Sequence, residues 1–455
     1  MDLGESSSTQ AASFTKSHAI RAGDNTLLRM PTGEIRSVKL DSDSVVNLGK
    51  FGSFHANFLI DQPYGLTHEI VGKQLIVVPP RTMEDVDDTE ATNELINDGQ
   101  FVQPLTGLEI EALKQSGVHA SDIIKKQIEM HANYSLKTEY SKDKYKKRKE
   151  AKFSKSFTTI EPTLFNVCEY WFNKDHNRIR DLRVDTLSQM INMANIRPGG
   201  RYIAVDDASG MVVSAILERM GGSGRLITIC DVDSPPAYPV MTQMNFSKEV
   251  VSSVLASLNW ATAEEDYMPV MAPLELPSGQ FRSEKHKTRL NKRKAVSDTL
   301  SGTREELFAG EFEGLIVASE YDPFSIVENL APYLGGSALL VVYSPHLQVL
   351  SDLQVKLRQN PRYLAPSVTE SWLRRYQVLP GRTHPTMSTT GTGGYLLHAI
   401  KVYDDPAAMP VVAHRRPKPR KPDTSTTDED KTGAVSDSTE TNPQDTAGGR
   451  EDSEA

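Results

Sequence analysis

The sequence predicts a doubly wound α/β sheet preceded by a smaller domain of short β-strands. Three observations lead there. Four apolar runs, RYIAV from Arg201, RLITIC from Arg225, EGLIVAS from Glu313 and SALLVVYS from Ser337, read as buried strands. Stretches of helical periodicity such as RVDTLSQMINMANI, SAILERM and SIVENLAPYL separate them. Continuous apolar strands alternating with amphipathic helices bury both faces of a parallel sheet. The third observation is a change of pattern over residues 26–79, where TLLRM, EIRSVKL, SVVNL, THEI and QLIVV are punctuated by Gly33, Gly49, Gly52, Gly65 and Gly72. Short runs spaced by turn residues suggest a small barrel of strands rather than βαβ units.

In chain order, residues 1–20 are Ser/Thr-rich and unpatterned, and read as a disordered leader. The barrel is expected over 21–105, with an acidic loop at 84–98. Residues 106–160 form a helical basic connector. Thr106 with Glu109 three residues on makes a capping box, Gly117 ends that helix, and a second helix after Ser121 places Ile123, Ile124 and Ile128 on one face. The α/β domain is expected over 161–410, interrupted at 262–308 by a polar insertion that is at least partly mobile. A basic then acidic disordered tail occupies 411–455.

Composition bounds the function. The hydrophobic fraction of 38% is low for 455 residues, as disordered ends require. Cys168 and Cys230 are too few for a disulfide framework and have no zinc-ligand spacing, so no metal is expected. No apolar core of a signal peptide opens the chain, and the longest apolar run, 338–343, is too short to span a bilayer. The expectation is a soluble protein in a reducing compartment, without a membrane partner. The net charge of -9 is concentrated in the tail from Asp423, where ten acids face Lys431 and Arg450. The remaining body is near neutral and free to carry a basic face.

The turn after the first α/β strand separates an active enzyme from an inactive one. Methyltransferases of this Rossmann-like topology hold S-adenosylmethionine where a Gly-rich turn lets backbone approach the cofactor. Here the turn reads Asp206-Asp207-Ala208-Ser209-Gly210-Met211, with one glycine, and side chains at 208, 209 and 211 are expected to crowd the methionine moiety. Asp231 and Asp233 after RLITIC could hold a ribose or form a solvated turn, and Glu320-Tyr321-Asp322-Pro323 could face a substrate or be an ordinary loop. A retained sheet beside an eroded turn points to a degenerate methyltransferase fold with a structural or binding role, with no catalytic and no cofactor-binding residues of its own.

Several stretches resemble one family: LLRMPTGEIRSVKL, LGKFGSFHANFLIDQPYGLTHEI, LTGLEIEALKQSG, KYKKRKEAKF, PGGRYIAVDDASGMVVSAILERMGG, GLIVASEYDP and ESWLRRYQVLPGRTHPTMSTTGTGGYLL. They span roughly residues 25–403 and are similar to the non-catalytic subunit of the eukaryotic tRNA (adenine-N1) methyltransferase, which forms 1-methyladenosine at T-loop position fifty-eight. The resemblance implies an N-terminal β-barrel, a degenerate Rossmann-like domain, and a heterotetramer of two heterodimers with a catalytic subunit that holds S-adenosylmethionine. It also implies tRNA as the bound substrate. The 262–308 segment and the tail match nothing in that pattern.

Candidate RNA contacts follow from charge. Residues 137–155 hold nine Lys/Arg against three acids, including Lys142, Lys144, Lys146, Lys147, Arg148 and Lys152, interleaved with Tyr140, Tyr145 and Phe153. Phosphate contact with rings free to stack is one reading; a solvated helix whose rings pack on the barrel is the other. Arg382 and His384 lie in a Gly/Ser/Thr-rich loop, with Arg374 and Arg375 expected on a helix before it, suited to RNA or to a subunit. One of those arginines could instead pair with Glu370, and His384 could serve structure. Arg36, Lys39 and Lys50 are RNA candidates only if they cluster on the barrel. The basic runs at 282–294 and 414–421 read as loops carrying nuclear import signals or flexible RNA tethers, which places the protein in the nucleus. An active RNA methyltransferase and a translation-associated RNA scaffold are the rival functions.

Overall fold

The computed structural model describes residues 18–78, 106–116, 118, 120–131, 134, 141–142, 144–146, 148–149, 154–233, 236–268, 284–378 and 383–403. The N-terminal strands are β1 (Asn25–Arg29), β2 (Ile35–Lys39), β3 (Val45–Asn47), β4 (Ser53–His55), β5 (Thr67–Val71) and β6 (Gln74–Val78). The connector supplies α1 (Gly107–Gln115) and α2 (Ala120–Glu129). The capping box forms: the Thr106 amide donates to Glu109 Oε2 at 2.9 Å and the Glu109 amide to Thr106 Oγ1 at 3.4 Å. Ile123 and Ile124 are buried and Ile128 half-buried, as the periodicity requires.

The connector then ends in a strand the sequence reading did not anticipate. Strand β7 (Ser156–Ile160) lies between β1 and β5, giving the sheet order β2-β1-β7-β5-β6. Residues 156–160 therefore belong to the N-terminal domain and not to the connector, because their partners Leu27 and Thr67 satisfy the ladder from both sides. The β3–β4 hairpin brings Val46 and Phe54 onto the same core as Leu28 and Phe157, with Phe54 and Phe157 stacked at 5.0 Å.

The second domain opens with α3 (Leu164–Asp175) and α4 (Val184–Met193), then β8 (Arg201–Asp206), α5 (Met211–Met220), β9 (Arg225–Cys230), α6 (Pro239–Gln243), α7 (Lys248–Val254), β10 (Leu255–Asn259) and α8 (Trp260–Ala263). Next come α9 (Glu284–Ala309), β11 (Phe312–Ala318), α10 (Pro323–Leu330), β12 (Leu334–Ser344), α11 (Leu347–Arg358), β13 (Tyr363–Glu370), β14 (Tyr376–Gln377), β15 (His384–Pro385) and β16 (Tyr395–Lys401). The main sheet runs β10-β9-β8-β11-β12-β16-β13. The first five are parallel, and β16 inserts antiparallel between β12 and β13. The order reverses between β8 and β11, whose parallel pairing runs through Ala318 and Asp206. Such a switch point at the carboxyl ends of the strands is where ligands bind in open α/β sheets.

Three of these seven strands, β10, β13 and β16, have no uniform apolar run and escaped the sequence reading. The segment 262–308 is corrected more sharply. Its second half is helix α9, which connects β10 to β11 and plants Leu300, Leu307 and Phe308 on the core beside Leu258 and Phe312. It is a crossover of the sheet and not an insertion; a polar helix reads as loop when its apolar residues occupy only the last two turns. The two domains share a core through Leu27 and Ile160. Asn25 and Asn245 lock them: the Asn25 amide donates to Asn245 Oδ1 at 2.8 Å and Asn245 Nδ2 donates to the Asn25 carbonyl at 2.9 Å. Both cysteines are buried and free. Among the described residues no helix is long and apolar enough to cross a membrane, and no His/Cys/Asp/Glu cluster could hold a metal ion.

Candidate functional site

The switch point is built from the tips of β8, β9 and β11. Asp206 ends β8 and turns its carboxylate back on the following helix: Oδ1 accepts from the Ala208 amide at 2.7 Å and Oδ2 from the Val213 amide at 2.8 Å. The Val213 amide is one that a helix start leaves without a partner, and the Ala208 amide belongs to the turn before it. Burial pushes the Asp206 carboxyl up to about 6, against those same hydrogen bonds, which hold it down. Ser209 and Gly210 then adopt left-handed φ values of 58° and 83° in succession.

What lies over Gly210 decides the chemistry. A Cβ at that position would stand 2.6 Å from Tyr238 Cβ and 2.7 Å from its Cδ1. Tyr238 itself is only 4% exposed, and the Val240 amide beyond it donates to the Ser209 carbonyl at 3.3 Å. The loop after β9 thus folds back and seats a tyrosine on the one open glycine face of the turn. Burial drives the Tyr238 phenol well above its ordinary range, with the negative charge of Asp206 adding to that. The crowding expected of Ala208, Ser209 and Met211 takes another form. Ala208 and Met211 are fully buried in the core beneath the sheet, and the Ser209 hydroxyl donates to the Arg178 carbonyl at 2.9 Å.

The acids around this turn are committed to intramolecular partners. Asp207 Oδ2 accepts from Ser319 Oγ at 2.5 Å and from the Glu320 amide at 3.1 Å. The Tyr321 hydroxyl donates to Asp231 Oδ2 at 3.1 Å, and Asn259 Nδ2 donates to Asp233 Oδ1 at 3.3 Å. Asp322 caps α10 by accepting from the Ser325 amide at 3.0 Å. The positions where a ribose or a substrate would be held are therefore laced together by the protein. A cavity of about 250 Å³ lined by Tyr202, Glu313 and Leu339 lies at the other, amino-terminal ends of these strands.

The predicted RNA contacts divide into three places. In the N-terminal sheet, Arg36 and Lys50 both approach the Phe51 ring, at 5.7 and 4.9 Å from its centroid. Arg36 also donates to Glu34 Oε1 at 2.9 Å and to the Leu48 carbonyl at 3.0 Å, which leaves its fork largely occupied. Lys39 pairs with Asp41 at 2.6 Å and belongs to no such group. In the connector, Lys144, Lys146 and Arg148 are exposed on a helical stretch. The half-buried Tyr145 ring is packed edge-on against His131 at 5.1 Å and Tyr134 at 5.9 Å. Lys142 and Lys149 sit over the Tyr134 and Tyr145 rings at 6.0 and 5.0 Å. Lys147 and Lys152 lie outside the described residues, with Tyr140 and Phe153.

The third place departs from expectation. Residues 371–375 are not helical; they run from the end of β13 into the β14–β15 hairpin. Their backbone carbonyls are taken by distant partners and not by a helical turn: the Arg183 guanidinium donates to the Ser371 carbonyl at 3.2 Å and the Thr386 amide to the Arg375 carbonyl at 2.8 Å. Arg375 pairs with Glu169 of α3 and not with Glu370, whereas Arg374 is exposed. His384 serves the hairpin: its ring nitrogens lie 3.2 Å from Gln377 Nε2 and 2.9 Å from the Pro385 carbonyl. Arg382 is outside the described residues. Around this hairpin Trp372, Tyr376, Val378 and Met387 are exposed, Trp372 by 77%.

A family model described as the Gcd10p family matches residues 19–299. The chain belongs to the Gcd10p family. Among its curated relatives is a protein of Candida glabrata named tRNA (adenine(58)-N(1))-methyltransferase non-catalytic subunit TRM6. It is 31% identical, over 84% of this chain and 92% of the relative. A protein of the same name from Debaryomyces hansenii is 28% identical over 88% of this chain and 90% of its own length. Among solved structures, an S-adenosylmethionine-dependent O-methyltransferase of Thermotoga maritima aligns at a TM-score of 0.48 with 12% identity, covering 85% of this chain and 96% of that one.

Within this Gcd10p-family chain, two features of the site were absent from the sequence reading. Tyr238 lies 28 residues from Gly210 and follows a Pro-rich stretch that carries no periodic signal. The pairings of Asp207 with Ser319 and of Asp231 with Tyr321 join residues about 90 or more apart. The adjacent acids at the strand tips were the only local hint of either.

Proposed function

We propose that this chain is the non-catalytic, tRNA-binding subunit of a tRNA (adenine(58)-N1) methyltransferase complex that forms 1-methyladenosine in the tRNA T-loop. One observation carries the reading: the methyltransferase-type sheet is whole, while the turn beside β8 is sealed by Tyr238 on Gly210. The residues present do not fit S-adenosylmethionine. The glycine face the cofactor would approach is covered, and Asp231 and Asp207 are held by Tyr321 and Ser319. The cofactor and the chemistry then belong to a catalytic partner. The exposed Trp372, Tyr376 and Met387 support a subunit contact near the hairpin, since exposed aromatic and Met side chains mark association surfaces. A heterotetramer of two heterodimers is the assembly proposed, and the basic run at 414–421 supports residence in the nucleus.

The test is co-expression of the full chain with a catalytic methyltransferase subunit. The expected result is co-purification, tRNA binding and modification by the complex, and calorimetric saturation at one S-adenosylmethionine per catalytic chain. The chain alone should release no heat of binding. Saturable cofactor binding by the isolated chain, or failure to capture the partner, overturns the proposal.

A further inference from the structure

Helix α9 is 26 residues long, yet only its last two to three turns are held by the fold. Thr303, Arg304 and Leu307 are buried there. Arg304 works as a clamp: it donates to the carbonyls of Thr262, Glu264, Glu265 and Tyr267, the last three at 2.9, 3.4 and 3.1 Å. Its guanidinium also lies over the Tyr267 and Phe308 rings at 5.3 and 5.0 Å. Amino-terminal to this anchor the helix has no buried face. Over residues 284–299 no described side chain is buried, and only Leu290 and Ser297 are half-buried. Sixteen residues at a helical rise make an arm about 24 Å long.

The arm's composition is one-sided. It holds six Lys/Arg against Glu284 and Asp298, and no Phe, Tyr or Trp. Lys285, Arg289 and Arg293 follow one another at i, i+4, and Lys292 falls beside them at i+3 from Arg289, which sets four cations in one stripe spanning about 12 Å. Like charges at that spacing oppose helix formation. A helix with no apolar face gains nothing from the core to offset them. A polyanion laid along the stripe removes the repulsion. Protein-docking helices instead carry apolar anchors at i, i+3 or i+4, and i+7. Here the large apolar residues, Leu290 and Val296, are six apart and share no such row.

We infer that residues 284–299 are a helical RNA-contact arm, on which Lys285, Arg289, Lys292 and Arg293 take backbone phosphates of structured RNA. The inference rests on the tRNA-binding reading above and adds a site to it, distinct from the connector's basic stretch. With no Phe, Tyr or Trp and a stripe of four cations, the arm is suited to charge and backbone more than to bases. It is helical, so the loop expected for the basic run at 282–294 is corrected for the described part of that run, which is a helix continuous with the anchor.

The test uses the full chain in complex with its catalytic subunit. Anisotropy of labelled tRNA is followed over a series of KCl concentrations for the unmodified complex and for a variant carrying Lys285→Gln, Arg289→Gln, Lys292→Gln and Arg293→Gln. Each lost phosphate contact lowers the slope of log K against log salt by about 0.7–0.9, so the variant should be flatter by up to about 3.6 and weaker by about tenfold or more. Hydrogen exchange over 300–309 verifies that the anchor remains folded. A second variant with Lys285→Arg and Lys292→Arg keeps the charge and should bind as the unmodified complex does. Normal tRNA binding by the unmodified complex with an unchanged slope in the glutamine variant overturns the arm alone. Loss of the catalytic subunit from the glutamine variant, with slope retained, overturns it in favour of a protein dock. An unmodified complex that fails to bind tRNA overturns the underlying reading and the arm with it.

Discussion

Replacing Gly210 by alanine, alone and together with Tyr238→Ala, tests directly whether a tyrosine seals the switch point. Two costs meet in the single variant. The backbone at 210 holds φ at 83°, a left-handed conformation that costs a residue with a Cβ about 1–2 kcal/mol. The new methyl group would also stand 2.6–2.8 Å from three atoms of the buried Tyr238 side chain, its Cβ and two ring carbons. Overpacking of that kind costs a further ~1–3 kcal/mol. Gly210→Ala should therefore destabilise the α/β domain by about 2–5 kcal/mol. Tyr238→Ala empties a buried aromatic site, at about 3–5 kcal/mol. In the double variant the contacts to the ring disappear and only the one to the Cβ of residue 238 remains, so the combined loss should fall short of the sum by about 0.5–2 kcal/mol. Urea unfolding followed by tryptophan fluorescence reads this locally. Trp171 is buried, and its indole N–H donates to Gln243 Oε1 at 2.7 Å on the helix that follows Tyr238. A Gly210→Ala chain within half a kcal/mol of the unmodified one, or strict additivity in the double variant, would refute the seal.

Asp206 predicts a pH dependence. Its folded-state value of about 6 lies above the ordinary 3.8, so its contribution to stability is fully present below the lower value and is lost as pH rises through the upper. Unfolding of the unmodified chain and of Asp206→Asn, compared between those two values, should show the difference in their stabilities falling by on the order of 2 kcal/mol with rising pH, because the other groups titrate in both. A constant difference would show that Asp206 is not buried as described. For the connector, Lys144→Gln, Lys146→Gln and Arg148→Gln together should flatten the salt dependence of tRNA binding by about 2 units, with the packing of Tyr145 untouched. An unchanged slope would make this stretch a solvated face.

The parts of this protein legible in its sequence are those decided by neighbours along the chain. RYIAV, RLITIC, EGLIVAS and SALLVVYS announce central strands because both faces of each are buried and the apolar run has no gap. The Thr106–Glu109 box is likewise written within four residues. Loss of the Gly-rich turn beside Gly210 was visible in the same way, and with it the direction of the function. Strands β10, β13 and β16 were not, since LASLN and YLAPSVTE mix polar and apolar residues as sheet edges tolerate, and β16 shows its apolar faces only between its two partners.

Tertiary structure alone decided the rest. Strand β7 joins the N-terminal sheet across the whole connector, Tyr238 reaches back over the Gly210 turn, and Arg375 finds Glu169 at a separation of 206 residues. Helix α9 could be told from a loop only by what Arg304 and Leu307 grip. Periodicity records which side of an element is buried, and says nothing about which distant segment does the burying. The seal, the arm and the inter-domain lock all depend on that second choice, which is made when the two cores close on each other.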